Sequence, residues 1–390
     1  MPIRKKVRSG LAGFLRLPLF RKLSSLPVID MNADDYLAAY FSTYSPQKEI
    51  IYPSGIQTEL LPISKIESIS WKFKSLQKRH KPEAFVIRLE RGKVFGMKGG
   101  VLTKEGILLK DVSREFGNRK LHSVFSILKM PAVVHQKGNI AVLITDGGNT
   151  YYHWLFDILP RLHLLEMSGL TDKIDFFILP KIAHPFQRES LALFGIQASK
   201  ILEAGSLDFY IEAENLFVPS LPSLLGTIND WASAYVSKTI LAKELPQKLT
   251  GKRIYVSRKK ATARKLLNEN EIINFLAQYG FTIIVSEDYS LLEQAAIFNN
   301  AEIVVAAHGS GLSNIVFCKT QTTVIELFSS DFVVPCYWIL ANNSKLNYHF
   351  ATSEGRDNLP FQPYWEGKNH DFYFPIERLE SIFSSAQITR

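Results

Sequence analysis

Cysteine is almost missing from this chain: only Cys318 and Cys336 occur among 390 residues, and they form neither a C-x-x-C pair nor a Cys/His cluster. That scarcity argues against a disulfide scaffold and a structural zinc site, and it suits a reducing compartment. Long apolar runs are missing too. No uninterrupted stretch approaches the roughly eighteen residues a spanning helix needs, and no short apolar core with a small-residue cleavage site marks an export signal. The expected location is the cytoplasm. Internal repeats and low-complexity segments are also lacking, while hydrophobic residues make up 46% of the sequence. A chain of this length and content fills a large core, more readily as two domains than as one.

Acidic residues are absent from residues 1–24. This segment holds Arg4, Lys5, Lys6, Arg8, Arg16, Arg21 and Lys22, which account for seven of the nine excess positive charges. The folded remainder is therefore near neutral, and no basic stripe with interleaved aromatics continues into it to bind nucleic acid. Leu11, Phe14, Leu15, Leu17, Leu19 and Phe20 alternate with those cations, the composition of a segment lying on an anionic membrane surface, here the inner face of the plasma membrane. A solvated basic tail fits equally well, since Pro18 interrupts any long helix.

Hydrophobic patterning organises the rest. From about residue 84 to 146 short apolar strands alternate with glycine turns, and helices and strands then alternate, giving an α/β domain with a β-rich opening over residues 25–225. Turn-forming and polar residues mark a linker over 226–252. Residues 253–350 read as β-α-β-α-β-α-β, a doubly wound parallel sheet whose continuously apolar strands are covered on both faces. Its helices have legible starts: Asn268 with Glu271, and Ser290 with Glu293, match the N-x-x-E and S-x-x-E capping patterns. A tail over 351–390 ends in an amphipathic helix.

The stretch "GGNTYYHWLFDILPRLHLL" carries Asn149, His153, Asp157 and Arg161 at four-residue intervals in otherwise apolar sequence. A helix turns about 100° per residue, so these groups form one slanting stripe with His153 and Asp157 as neighbours. Asn149 is placed to cap the helix. An imidazole fixed beside a carboxylate is either a core hydrogen bond or an acid/base pair, and the spacing alone does not choose.

In a parallel sheet, ligands bind beyond the carboxyl ends of the strands. There the sequence puts "HGSGL", residues His308, Gly309, Ser310, Gly311 and Leu312, with helix-start amides suited to a phosphate. It also puts there the basic loop holding Arg258 and Arg264, whose planar guanidinium groups match phosphate oxygens. Glu326, at the end of "TTVIEL", either accepts ribose hydroxyls or caps the next turn.

Taken together, "NTYYHWLFDILPRL", "YVSRKKATARKLLNENEI", "SEDYSLLEQAAIFNNAEIVVAAHGSGLSNIVF" and "TTVIELF" resemble glycosyltransferase family 61 over roughly residues 84–385. Bacterial members of that family are often described as capsular polysaccharide biosynthesis proteins. The resemblance implies a GT-B-like fold of two facing α/β domains, the first for the acceptor and the second for the nucleotide sugar. It implies an inverting transfer of a hexosyl or pentosyl group from a nucleotide-diphosphate sugar to a hydroxyl of a glycan or lipid-linked saccharide. No cofactor or obligatory metal is expected, and no D-x-D motif occurs in the cleft segments. Carried over by position, His153 and Asp157 are the catalytic pair, either of them the base, with Asn149 and Arg161 supporting on the acceptor side. Arg258, Arg264, the His308–Leu312 turn and Glu326 bind the donor. Ser310 stands where alanine is commoner in the family, which keeps the small volume.

Two other readings compete. A dinucleotide-dependent oxidoreductase needs a full glycine fingerprint after the first strand of the sheet, where this sequence has cations instead. A catalytically silent sugar-nucleotide-binding protein of polysaccharide assembly differs only in lacking turnover.

Overall fold

The computed structural model describes residues 26–27, 29–40, 47–63, 71–117, 121–224, 226–247, 251–353 and 369–390. The basic segment 1–24 lies outside them. The chain divides into two compact units, Met1–Pro53 with Glu83–Ala183 and Ile196–Pro222, and Ser54–Pro82 with His184–Gly195 and Ser223–Arg390.

The first unit is built on a mixed ten-stranded sheet. Its long strand Tyr210–Pro219 runs parallel to Val134–Val142 on one side and antiparallel to Lys93–Phe95 and Ala84–Glu90 on the other. Beyond Val134–Val142 follow Phe176–Pro180 and Ile201–Ala204, both parallel. Ile87, Leu89, Val94, Ile140, Val142, Ile178, Leu216 and Val218 fill the core, apolar residues contributed by both halves of the sheet.

The striped stretch is a helix, with one irregular turn. Tyr151–His153 begins it, Trp154–Ile158 is a wide π-type turn closed by Leu159 N–H donating to Trp154 O at 3.1 Å, and Pro160–Met167 continues it. Proline at 160 has no N–H for the carbonyl of Phe156, and its ring would press on that carbonyl, so the ladder opens just before it. The cap differs from the expectation: Thr150 occupies the N-cap position without a side-chain cap bond, and Asn149 stands one residue outside, exposed.

In the second unit a five-stranded, all-parallel sheet is formed by β1 (Arg253–Val256), β2 (Thr282–Ile284), β3 (Ile303–Ala307), β4 (Thr323–Phe328) and β5 (Asn347–Thr352). The order across it is β2-β1-β3-β4-β5, so the winding reverses between β1 and β3. Consecutive residues of β3, β4 and β5 are buried, as strands covered on both faces must be. Ile272, Leu276, Val305, Ile325, Leu379 and Ile382 belong to its core. Strand β5 and the helix Cys336–Asn343 extend the pattern beyond the sequence expectation, and the stretch read as a linker contains the helix Asp230–Leu241.

Of the two capping patterns, one forms. Ser290 Oγ accepts the Glu293 amide, and the Glu293 carboxylate accepts the Ser290 amide. Asn268 does not cap with its side chain. Its amide group instead brackets the backbone of Phe374, accepting from N–H at 3.0 Å and donating to the carbonyl at 2.9 Å. A tertiary partner has outcompeted the local one.

Candidate functional site

Two clusters stand at strand ends, one in each unit. In the first unit the strand Val134–Val142 leads through Asp146 and Gly147 to the helix carrying the stripe. Gly147 has φ of +78°, and a Cβ there would lie 2.8 Å from the His153 ring and 2.9 Å from the Phe116 ring. Only glycine permits that turn and that closeness. His153 Nδ1 lies 2.6 Å from Asp157 Oδ2. Arg114 Nη2 donates to the same oxygen at 2.8 Å, and its guanidinium also lies over the Phe116 ring. Phe116 in turn packs on the imidazole, with ring centroids 4.9 Å apart.

Asp157 is buried among these partners, and beside the Arg114 cation the carboxylate form is the favoured one. An ionised carboxylate only accepts, so a neutral His153 carries its proton on Nδ1 and keeps a lone pair on Nε2. Arg161, the last member of the stripe, is wholly buried and donates to the carbonyls of Ile144 and Pro219. It ties the helix to the ends of two neighbouring strands. Burial lowers the affinity of its guanidinium for the proton, and nearby Asp157 opposes that shift.

In the second unit the reversal between β1 and β3 collects the donor-side candidates. Arg258, just past β1, donates from Nε and Nη2 to the carbonyls of Arg264 and Ala263, at 2.9 and 2.6 Å, and so folds the basic loop back on itself. Burial depresses the Arg258 pKa, and the like charge of Arg264 adds to this. Its Nη1 makes no hydrogen bond to a described residue and lies where a Cβ on Gly309 would sit, 1.6 Å from that position. Gly309 has an extended backbone, so glycine is required there for space alone. After it Ser310–Phe317 winds as a 3₁₀ helix, whose first amides have no partner inside the helix. Leu312 is core, and its amide bonds the Gly309 carbonyl at 2.9 Å.

Arg264 has φ of +54°, a backbone conformation costly for a side chain of its size, and its guanidinium lies over Phe332. Phe332, Phe328 and Tyr337 surround the His308 ring. His308 Nδ1 is 2.5 Å from Glu326 Oε1, and Tyr348 donates its hydroxyl to the other carboxylate oxygen. Glu326 is thus completely buried, with both oxygens bonded inside the unit. Burial lowers the His308 pKa, with Glu326 opposing.

The structure therefore joins His153 to Asp157, brings Arg258 against Gly309, and joins His308 to Glu326, while Asn149 and Ser310 take part in no side-chain pair among the described residues. Sequence reasoning missed Arg114, Phe116, Phe332 and Tyr348, which come from distant parts of the chain and share no spacing with the motifs they touch. Among the described residues no three His, Cys, Asp or Glu side chains cluster as a metal ion would require. No helix among them is long and apolar enough to cross a membrane.

The profile of the family described as Glycosyltransferase 61 matches residues 151–325. The chain carries a glycosyltransferase 61 domain. That domain contains His153, Asp157, Arg161, Arg258, Arg264 and the His308–Leu312 turn, whereas Arg114 and Glu326 fall outside the matched span. Among similar proteins, the EGF domain-specific O-linked N-acetylglucosamine transferase of Canis lupus familiaris is 29% identical over 101 residues, 25% of this chain and 19% of that protein. A beta-1,2-xylosyltransferase of Oryza sativa subsp. japonica is 33% identical over 69 residues, 17% of this chain and 12% of its own length. One from Arabidopsis thaliana is 26% identical over 98 residues, 22% and 18% respectively. The chain thus spans less than a fifth of the length of each of these relatives. Their names include transfer of N-acetylglucosamine and of xylose.

Proposed function

We propose that the protein is a glycosyltransferase that moves a sugar from a nucleotide-diphosphate donor to a hydroxyl of a glycan or lipid-linked saccharide, with inversion and without an obligatory metal ion. The observation that carries this reading is the His153–Asp157 bond of 2.6 Å inside the glycosyltransferase 61 domain, with the imidazole partly open and the carboxylate sealed. An acceptor hydroxyl must lose its proton as it attacks the anomeric carbon. His153 Nε2 is the group suited to take it, and Asp157 holds the ring and stabilises the imidazolium that forms. Burial keeps Asp157 from reaching an acceptor hydroxyl, and the donors on its carboxylate oppose its taking up a proton, so His153 is the better placed base. As the carbon–oxygen bond to the donor breaks, negative charge grows on the diphosphate. Arg258, Arg264 and the first amides of the Ser310–Phe317 helix are the groups that meet it.

The GT-B arrangement implied by the family resemblance, a role in capsule or other surface polysaccharide synthesis, and docking of residues 1–24 on an anionic membrane all belong to this proposal. The test has two stages. A thermal-shift screen of nucleoside diphosphates and their sugars identifies the donor, and nicotinamide dinucleotides serve as the control for an oxidoreductase. Asp157→Asn is then assayed with that donor, and kcat/KM is expected to fall by about 10²–10⁴-fold with donor affinity unchanged. Folded protein that binds a sugar nucleotide yet never turns over would favour the silent binding protein.

A further inference from the structure

We propose that Arg114 is the positioning residue of the His153–Asp157 pair, fixing Asp157 as a carboxylate and thereby setting the tautomer and basicity of His153. The inference rests on the reading of His153 as the proton acceptor, and it concerns a residue outside the span matched by the family profile.

The geometry is specific. Asp157 Oδ2 receives two partners at once, His153 Nδ1 at 2.6 Å and Arg114 Nη2 at 2.8 Å. Arg114 comes from a loop anchored at three consecutive residues. Beyond its own bond, Glu115 accepts the amide and hydroxyl of Ser123, and the Phe116 amide donates to Asp146 at 2.8 Å. The loop that carries Arg114 is therefore fixed beside its bond to Asp157, and Phe116 packs on the imidazole from the same loop. A neutral Asp157 could present a hydroxyl to Nδ1 and invert the tautomer, leaving no lone pair on Nε2 for the acceptor. The cation bonded to it removes that possibility.

The same cation also weakens His153 as a base, because positive charge nearby disfavours the imidazolium. Among the described residues, the charged groups tied into this cluster include Asp157 on the His153 helix with Arg161 behind it, Arg114 on the loop, and Lys98, which braces the loop through Asp146 and Glu115. Of these, Arg114 is the one whose removal unshields Asp157. Without it the imidazole proton is held more tightly, and a base that must act deprotonated does so only at higher pH. The expectation for Arg114→Gln is an upward shift of about one pH unit in the His153 titration.

The test follows the imidazole by NMR in the full-length protein with labelled histidine, the His153 signal being assigned by its loss in His153→Gln. In the unsubstituted protein the ring nitrogen shifts should report the proton on Nδ1 while His153 is neutral. Arg114→Gln should raise the titration by about one unit, and Arg114→Lys, which keeps the charge, should bring it most of the way back. The acid limb of kcat/KM should move upward with it. A proton found on Nε2, or a folded Arg114→Gln protein whose His153 titrates unchanged, overturns the proposal. The tautomer measurement needs no variant, so it decides even if Arg114→Gln fails to fold. If the titration moves while the acid limb of the rate profile stays in place, the role of Arg114 stands and the assignment of His153 as base falls.

Discussion

His153 and Asp157 meet at 2.6 Å in the first unit, and His308 and Glu326 meet at 2.5 Å in the second; each imidazole offers Nδ1 to its carboxylate. Their surroundings differ. The His153 side chain is 23% exposed, its partner sits one helical turn away, and the carboxylate is shared with a cation from another loop. The His308 side chain is 9% exposed, lies among Phe328, Phe332 and Tyr337, and shares its carboxylate with the Tyr348 hydroxyl. A proton acceptor has to reach solvent or substrate on every cycle, and a group enclosed by three aromatic rings is poorly placed to do so. On the proposed reading the same pair serves chemistry in one setting and architecture in the other, and exposure rather than bond length separates them.

The largest effect that can break this contrast is on turnover. His153→Ala should lower kcat/KM by about 10²–10⁴-fold while leaving the unfolding midpoint nearly unchanged, because the ring is partly exposed and its loss uncovers no large cavity. Near-normal turnover in that variant would end the distinction between the two histidines. A smaller effect is expected beside His308. Gly309→Ala places a methyl group where Arg258 Nη1 now lies, and that guanidinium is pinned by two carbonyls and cannot simply swing away. Losing one well-placed charged donor costs about 1.5–3 kcal/mol, so the donor Kd should rise by about ten- to a hundredfold. Calorimetric titration with the nucleotide checks this, and Arg264→Ala gives the parallel loss without touching Gly309.

How much of this was legible in sequence follows from the range of the interactions. The helix at 151–167 and the alternation of four strands with helices along the second unit were readable because each of those strands is a continuous apolar run and most of the helices have a short-range period or cap. The His153–Asp157 contact was readable for the same reason, being local to one helical face. His308 and Glu326 could be placed at one edge of the sheet, since the sequence puts both toward the carboxyl ends of their strands, but their bond depends on β3 and β4 being neighbours in register. Arg114 was invisible, lying 43 residues from Asp157 in a loop with no period. Asn268 misled because the local capping pattern was present while Phe374, 106 residues away, was the stronger partner. The π-type turn had a visible cause in Pro160, yet a four-residue spacing does not reveal that the ladder shifts between Trp154 and Leu159.

The smallest expected effect concerns pH, and it tests the enclosed pair from the other side. His308 has its pKa lowered in the folded protein, first by burial, with Glu326 acting in the opposite direction. An unfolded histidine binds its proton near pH 6.5, so below that value the unfolded chain takes up a proton that folded His308 resists. The stability contributed by neutral His308 is then complete above about pH 6.5 and is lost as pH falls from there toward the folded pKa. Over that window the slope is at most about 1.4 kcal/mol per pH unit. His308→Asn retains a donor toward Glu326 and cannot titrate, so whatever its absolute stability, its denaturation free energy should fall less steeply between pH 6.5 and 5. The difference in slope isolates His308 from His122, whose pKa burial also lowers. Equal slopes in the two proteins would mean that folded His308 takes up its proton over the same range as the unfolded chain, and the contrast with His153 would then have to be drawn from accessibility alone.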